Sequence, residues 1–311
     1  MKPEHLSPYL KHLIETTESP ALRRQFLASP DEKILSPYDT ADPLAEERFS
    51  VTPFLIHRYP EKVLWLTTQR CAAVCRYCFR KHRLAEEVLP GESDIEAACG
   101  YLRAHPEVGE ILLSGGDPLM LSDSRIETLL RLFSRVRPLR FRICTRMPVT
   151  APDRITGGLL SLLNGYRVRF SVHINCTDEL TEEACAALEA IRRSGFEVLT
   201  QTVLLRGVND SREQLTALFL SFADLDLTPY YLFQGDLAAE TAAFRVSIQR
   251  GRRLYRQVCR QLRGVPVPKY AVDLPDGGGK VVIEPSRIAA VRGKKIWFRS
   301  DSGRLFAYPI E

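Results

Sequence analysis

Three cysteines stand within eight residues of one another in this chain, at the spacing Cys-x3-Cys-x2-Cys. They are Cys71, Cys75 and Cys78. Three thiolates this close in sequence can bind three irons of a cubane cluster, whereas most clusters have four cysteine ligands. No further cysteine lies within 20 residues of the run. The spacing therefore predicts a [4Fe–4S] cluster with one open iron, which can bind a substrate or cofactor directly.

Two simpler interpretations of the same cysteines are a structural zinc site and a chance group of buried thiols. Zinc sites favour Cys-x2-Cys pairs completed by a further Cys or His. The nearest histidines, His57 and His82, stand at no familiar zinc spacing. The cluster interpretation is therefore favoured.

The composition is that of an ordinary globular protein, with 45% hydrophobic and 26% charged residues among 311. The net charge of +5 is mild and spread out, so it does not predict binding to nucleic acid. The sequence has no signal-like amino terminus and no apolar run near the ~20 residues of a membrane span. The remaining cysteines are scattered and are expected to be reduced, so we expect a cytoplasmic protein: Cys99, Cys144, Cys176, Cys185 and Cys259.

The pattern of apolar residues divides the chain at about residue 50. Residues 1–50 are helix-prone and are expected to form a helical cap or an oligomerisation element, which would make the protein a homo-oligomer. In residues 51–311, short apolar runs alternate with amphipathic ones, which predicts parallel β–α units. The predicted strands are Val63–Thr67, Glu110–Ser114, Arg140–Thr145, Arg167–His173, Glu197–Leu204 and Tyr230–Phe233. The predicted helices are Ser93–Ala104, Ser124–Val136, Thr181–Ser194 and Arg212–Ala223. Six strands predict an α/β fold of the partial (β/α)6 barrel type, with its functional residues at the carboxyl ends of the strands.

Two glycine-rich segments are candidate ligand sites. Gly115 and Gly116 follow a predicted strand and would let a ligand approach the backbone, while Asp117 could accept hydrogen bonds from an ammonium group. Lys280 follows three glycines, and a lysine amine in a cleft can bind pyridoxal phosphate (PLP) covalently. Taken alone, each segment is more typical of an ordinary surface turn or loop.

The cysteine run, with Tyr77 before its last cysteine, resembles the radical S-adenosylmethionine (SAM) enzymes. The wider sequence resembles the lysine 2,3-aminomutase family, including the bacterial branch that makes (R)-β-lysine for elongation factor P. The resemblance covers about residues 35–290 and is carried by 57–64, 71–80, 113–119, 145–149, 201–210, 229–232 and 273–280. It implies an isomerase that converts L-lysine to β-lysine with a [4Fe–4S] cluster, SAM and PLP, and with an electron donor such as flavodoxin or ferredoxin.

The resemblance also implies roles for individual residues in cofactor binding. Lys280 matches the PLP lysine of the family, and Arg58 and Lys62 match two cations close to PLP. Lys62 stands where the clostridial type has arginine, so the charge is kept but bidentate geometry is lost. The residues that match SAM-binding positions are Gly115, Gly116, Asp117, His173 and Gln201.

Three further residues match the positions that hold the substrate. Arg80 matches the arginine that binds the substrate carboxylate, a pairing that suits a guanidinium group. Asp236 and Asp273 match two aspartates that hold the distal ammonium of lysine. Two carboxylates on one ammonium favour a cationic amino acid over glutamate.

The chain departs from the family at two further places. No cysteine follows Cys259, and Ser211 stands after the 207–210 stretch, so we expect no structural zinc. Ala243 replaces a histidine often found there. Beyond the aminomutase, the open alternatives are an enzyme dedicated to elongation factor P, a radical SAM enzyme acting on another amino acid or without PLP, and a non-catalytic iron–sulfur protein.

Overall fold

The computed structural model describes residues 4–84, 88–283, 288–293, 295–299 and 304–309. A ten-stranded sheet forms the body of the molecule, and its strands follow one another in chain order. The strands are β1 Ser50–Thr52, β2 Leu55–Tyr59, β3 Lys62–Thr68, β4 Glu110–Gly115, β5 Arg140–Thr145, β6 Arg167–His173, β7 Val198–Leu204, β8 Thr228–Gln234, β9 Lys269–Leu274 and β10 Gly279–Val282.

Strands β3 to β9 are all parallel, while β1, β2 and β10 pair antiparallel at the two edges. The six predicted strands are β3 to β8, and the prediction of a partial barrel is confirmed. The structure adds β9 as a seventh parallel strand. Sequence reasoning missed β9 because its six residues follow the proline-rich stretch 265–268 and lead directly into the glycine-rich loop.

Helices cover the outer face of the parallel strands, as the alternating pattern predicts. They are α4 Glu92–Ala104, α5 Asp123–Ser134, α6 Met147–Thr150, α7 Gly157–Leu163, α8 Glu182–Arg193, α9 Arg212–Asp224 and α10 Ile248–Gln261. The four predicted helices correspond to α4, α5, α8 and α9. Trp65, Phe133 and Phe170 are completely or almost completely buried in the core between sheet and helices. Side-chain hydroxyls at the amino-terminal caps accept backbone hydrogen bonds that the first helical turn leaves open, at Ser122, Thr156, Thr181, Ser211 and Ser247.

The amino-terminal segment packs on the carboxyl end of the barrel. It contains α1 Pro8–Thr17, α2 Pro20–Phe26, a short 3-10 helix Pro30–Lys33 and α3 Glu46–Phe49. Leu10, Leu22 and Phe26 are buried against Ala73 of the cysteine loop and Phe244 of the loop after β8. The boundary expected near residue 50 falls at the first residue of β1, and the division into two segments stays a prediction.

A second sheet of three antiparallel strands follows, formed by β11 Ile288–Arg292, β12 Lys295–Arg299 and β13 Leu305–Pro309. In the described part of the chain, no helix has the length and apolar character needed to cross a bilayer.

Candidate active site

One cavity of about 330 Å³ opens at the carboxyl ends of the parallel strands. Twelve of the fourteen site residues predicted from sequence line it: Cys71, Cys75, Cys78, Arg80, Gly115, Gly116, Asp117, His173, Gln201, Asp236, Asp273 and Lys280. The topology explains this convergence, because parallel strands bring the residues that follow them to the same edge of the sheet. The other two, Arg58 and Lys62, lie outside the cavity lining.

The cysteine loop leaves β3 and is held in place by the amino-terminal segment. The amide of Val74 donates to His5 O at 2.9 Å, and the amide of Arg76 donates to Gln25 O at 2.8 Å. The buried carboxylate of Glu32 binds Arg76 through two hydrogen bonds, of 2.8 and 2.7 Å, and Lys81 Nζ at 2.9 Å. Ion pairs and backbone hydrogen bonds therefore shape the loop that carries the three thiols.

The three thiols suit a cluster. All are free. Burial raises the pKa of Cys71 well above its usual range and that of Cys78 to about 12, with further repulsion from Cys75. Cluster binding would therefore release protons, as metal binding by thiols generally does. In the described ranges, no group of three His, Cys, Asp or Glu side chains could hold a single metal ion. This finding is compatible with a cubane cluster, because each thiolate of such a cluster binds a different iron.

The two glycines at the end of β4 are required by the protein's own backbone. A Cβ at Gly115, where φ is +110°, would lie 2.5 Å from Thr68 O, and one at Gly116 would lie 2.2 Å from Arg70 O. The first clash is with the end of β3 and the second with the start of the cysteine loop, so the two glycines allow close packing at this point. The expected approach of a ligand is a further use of this stretch and remains a prediction.

Asp117 is buried and already accepts several hydrogen bonds. Its carboxylate accepts from Thr145 Oγ1 at 2.8 Å, from the amide of Arg146 at 2.7 Å and from the amide of Leu119 at 3.0 Å. These bonds tie the end of β4 to the end of β5. The expected contact of Asp117 with an ammonium group stays a prediction.

His173 ends β6 and is held as a neutral ring. Its Nε2 lies 3.0 Å from Asn175 Oδ1 and 3.5 Å from Tyr77 Oη. Burial, together with the nearby charge of Arg146, lowers the pKa of His173 to about 3. The paired position on the next strand is Gln201, so both side chains project from neighbouring strands into the same cavity.

Lys280 and Asp273 face each other across the β9–β10 hairpin. They are directly opposite in the antiparallel register, and Lys280 Nζ lies 3.3 Å from Asp273 Oδ2. The amine also lies 4.0 Å from the centre of the Phe233 ring. Burial lowers the pKa of Lys280, and Asp273 opposes this change. A lysine amine with a lowered pKa is more readily available as a nucleophile.

The glycines before Lys280 shape the hairpin. Gly277 has a φ of +73°, and a Cβ there would lie 2.5 Å from Cε2 of Phe49. The loop thus packs closely under α3 of the amino-terminal segment.

Asp236 follows β8 and faces the same lysine. Burial, with repulsion from Asp273, raises the pKa of Asp236 to about 7, while the charge of Lys280 lowers it. The charges of Asp273 and Lys280 therefore both act on Asp236 within the same cavity.

Arg80 is engaged by a residue that sequence reasoning missed. Glu46 of α3 accepts from Arg80 Nε at 3.0 Å and also from Nη2. The remaining Nη1 lies 3.4 Å from Ser114 Oγ. Glu46 is 34 positions before Arg80 and belongs to no motif, so the fold alone reveals this pair.

Arg58 has buried donors that could bind a phosphate. Its Nε and Nη2 are buried without a hydrogen-bond partner. Its guanidinium lies 5.7 Å from the Phe49 ring and 5.5 Å from the Tyr59 ring, and Tyr59 Oη accepts from the amide of Lys280 at 3.1 Å. An anion there would supply the missing acceptors close to Lys280, which fits the phosphate of PLP.

Lys62 lies outside the cavity lining and already has an anionic partner. Its amine pairs with Glu61 and lies 4.7 Å from the centre of the Tyr59 ring.

The fold and the cysteine loop define this chain as a radical SAM protein. The model of the radical SAM superfamily matches residues 65–219. A radical SAM methyltransferase from Sphaerobacter thermophilus has a similar fold, with a TM-score of 0.51 and 22% identity over 70% of this chain and 68% of that chain.

Comparison with curated proteins narrows the class. A Treponema pallidum (strain Nichols) protein, provisionally named L-lysine 2,3-aminomutase, is 44% identical over 99% of this chain and 90% of its own length. The L-lysine 2,3-aminomutase of Methanococcus maripaludis is 33% identical over 98% of this chain and 72% of its own length. The chain belongs to the L-lysine 2,3-aminomutase family. Membership implies a [4Fe–4S] cluster, SAM and PLP as cofactors.

Proposed function

We propose that the protein is an isomerase that converts L-lysine to β-lysine by moving the amino group from C2 to C3. The observation that carries the proposal is the single cavity shared by the cluster cysteines, Lys280 and the two aspartates. The activity named for the relatives supports the same reaction. When bound, the cluster and SAM supply a 5′-deoxyadenosyl radical, and PLP supplies a conjugated ring that stabilises the migrating radical.

The proposed roles follow the positions of the side chains. Cys71, Cys75 and Cys78 hold the cluster, and Lys280 holds PLP covalently. Arg58 and Lys62 neutralise the PLP phosphate. The residues proposed to contact SAM are Gly115, Gly116, Asp117, His173 and Gln201.

Charge balance supports lysine as the substrate. The Lys280 ammonium lies 3.3 Å from Asp273 Oδ2. If Lys280 held PLP covalently, its free ammonium would be lost from the neighbourhood of Asp273 and Asp236. The distal ammonium of a lysine substrate would replace it, whereas a glutamate side chain would add a third negative charge.

Arg80 is proposed to bind the substrate carboxylate through Nη1, because Glu46 already engages Nε and Nη2. Glu46 would fix the plane of the guanidinium group, so that less freedom is lost when the substrate binds.

The cellular location and the electron donor are also proposed. None of the eight cysteines, all of which lie in the described ranges, forms a disulfide, which supports a reducing, cytoplasmic location. The electron would come from a low-potential donor such as flavodoxin or ferredoxin.

The test is anaerobic turnover of the reconstituted protein with SAM, PLP, dithionite and L-lysine, followed by chiral chromatography. We expect β-lysine, and the R enantiomer would favour the branch that serves elongation factor P. Cleavage of SAM without β-lysine would refute the substrate assignment but keep the radical chemistry. Cys75→Ser should abolish SAM cleavage.

Matched asparagine variants test the ammonium site. Asp273→Asn should raise the KM for lysine by at least about tenfold, because a charged hydrogen bond contributes about 1.5–3 kcal/mol. Asp276→Asn, at an exposed position of the same hairpin, should leave KM unchanged. An unchanged KM in both variants would remove Asp273 from the substrate site.

A further inference from the structure

A buried arginine points directly at one of the cluster ligands. Arg146 follows β5, and its Nη1 lies 2.8 Å from Cys75 Sγ. Its Nη2 donates to Gln25 Oε1 and to Glu179 Oε2, both at 2.8 Å, and its Nε donates to His173 O at 3.4 Å. Four of the five N–H groups of the guanidinium are thereby committed to protein atoms.

The surroundings fix this orientation. Glu179 is almost completely buried, and its other carboxylate oxygen accepts from Gln25 Nε2 at 2.8 Å. Gln25 thus bridges both members of the ion pair. The guanidinium also lies 4.7 Å from the centre of the Phe26 ring. These contacts fix the orientation of the guanidinium group, so that Nη1 faces the sulfur of Cys75.

The ion pair therefore has a direction relative to the cluster site. The cationic member touches Cys75, and the anionic member lies behind it. Such a fixed dipole acts strongly because the surroundings are buried and have a low dielectric constant. Hydrogen bonds to cluster sulfurs and nearby positive charge are among the factors that set reduction potentials.

We infer that Arg146 is a positioning and tuning residue that raises the reduction potential of the cluster by donating to the Cys75 thiolate, with Glu179 limiting the size of the effect. The inference rests on the proposed function, since it requires a cluster on Cys75. The step concerned is uptake of one electron by the oxidised cluster from a one-electron reductant, which is dithionite in the experiment. The added electron increases the negative charge on the sulfurs, and Arg146 stabilises that charge.

A purely structural role is the competing explanation, because Arg146 also joins α2 to the barrel. Arg142 provides a matched control. It lies four residues earlier, about 13 Å away along an extended strand, and is equally buried in an ion pair, with Glu110 at 2.7 Å. Loss of Arg142 should destabilise the fold in a similar way without removing a donor to the cluster.

The experiment is a redox titration of the reconstituted protein, followed by electron paramagnetic resonance without SAM, with iron content and melting temperature measured in parallel. In Arg146→Met, we expect the ratio of reduced to oxidised cluster at a fixed solution potential to fall about tenfold, which is about 1.4 kcal/mol. Arg146→Lys should keep part of the effect, since the charge remains. Arg142→Met should shift the ratio by much less.

Glu179→Gln provides a second test with the opposite sign. It removes the anion and keeps the volume, so the ratio of reduced to oxidised cluster should rise. This variant decides the question if Arg146→Met does not fold.

The inference would be overturned if loaded Arg146→Met or Glu179→Gln titrated like the wild type, or if Arg142→Met shifted as far as Arg146→Met. A wild-type protein that binds no cubane cluster would overturn the proposed function and this inference together.

Discussion

At the scale of single residues, Asp236 links pH to substrate binding. Burial and Asp273 raise its pKa to about 7. The other charged groups that act on it are Lys280 and Arg80, which lower the pKa, and Glu46, which raises it. Below pH 7 the carboxyl is protonated and cannot neutralise the substrate ammonium. We therefore expect kcat/KM for lysine to rise with pH through this range, and the rise to extend above pH 7 when PLP is held on Lys280, because the ammonium that lowers the pKa of Asp236 is then lost.

A pH profile of kcat/KM between 5.5 and 8 measures this dependence. Asp236→Asn cannot ionise, so its profile should be low and should lack the rise. The interpretation fails if the variant shows the same rise as the wild type.

The residues of the site differ in how far the sequence reveals them. Lys280 and the three cysteines are recognisable because their chemistry depends on local spacing. Glu46 and Glu179 are not, because each acts on an arginine more than 30 positions away, at Arg80 and Arg146. Only the packing of the loops brings these carboxylates to their partners.

At the scale of secondary-structure elements, local apolar patterns predicted the strands that lie inside the barrel. β3 to β8 are apolar runs flanked by amphipathic helices, so a local window identifies them. The edge pair β9–β10 is partly exposed, and its register depends on the hairpin around Gly277 and on the contact with Phe49. The sequence of the hairpin therefore indicated a lysine loop but not its two strands.

The β9–β10 hairpin should depend on Gly277 for a steric reason as well as a conformational one. Gly277→Ala should cost about 1–2 kcal/mol for a left-handed φ, and more because its Cβ would lie 2.5 Å from the Phe49 ring. Gly264→Ala, with a φ of +86° and nothing within 4 Å of the new Cβ, should cost only the conformational part. Urea denaturation measures both, and PLP binding should weaken only at Gly277.

Adding Phe49→Leu separates the two contributions. The smaller side chain should recover part of the loss in Gly277→Ala. Equal free energies of unfolding for Gly277→Ala and Gly264→Ala would show that the contact with Phe49 has no energetic effect.

The 3-10 helix Pro30–Lys33 should stabilise the cysteine loop through one side chain. Glu32→Gln leaves Arg76 and Lys81 buried without this carboxylate, and breaking a buried pair costs about 3–5 kcal/mol. We expect a lower melting temperature and less iron bound after reconstitution. Asp31→Asn is the matched control, because its pair with Arg24 is half exposed and surface pairs contribute about 0–1 kcal/mol. Similar iron content in the two variants would contradict the role of Glu32.

At the scale of the whole molecule, residues 4–33 pack on the loops that carry the site. They bury Leu10, Leu22 and Phe26 against the carboxyl end of the barrel, and they supply Gln25 and Glu32 to its buried ion pairs. The oligomerisation element considered from sequence would instead act through the exposed face of α1. The two interpretations differ in what removal of the segment should do.

We expect a chain that lacks residues 1–33 to be poorly soluble and to bind little iron, because it exposes apolar loops and removes the Glu32 carboxylate from Arg76 and the Gln25 amide from Arg146. Light scattering, iron content and thermal unfolding measure the three consequences. As a control, Lys11→Ala with Glu15→Ala alters only the exposed face of α1 and should keep the iron content of the wild type. If the truncated chain were folded and fully loaded but of lower oligomeric order, the segment would serve assembly. Loss of the cluster in the truncated chain but not in the α1 double variant would show that the amino-terminal helices support the metal site. The buried contacts of Gln25 and Glu32 predict this result.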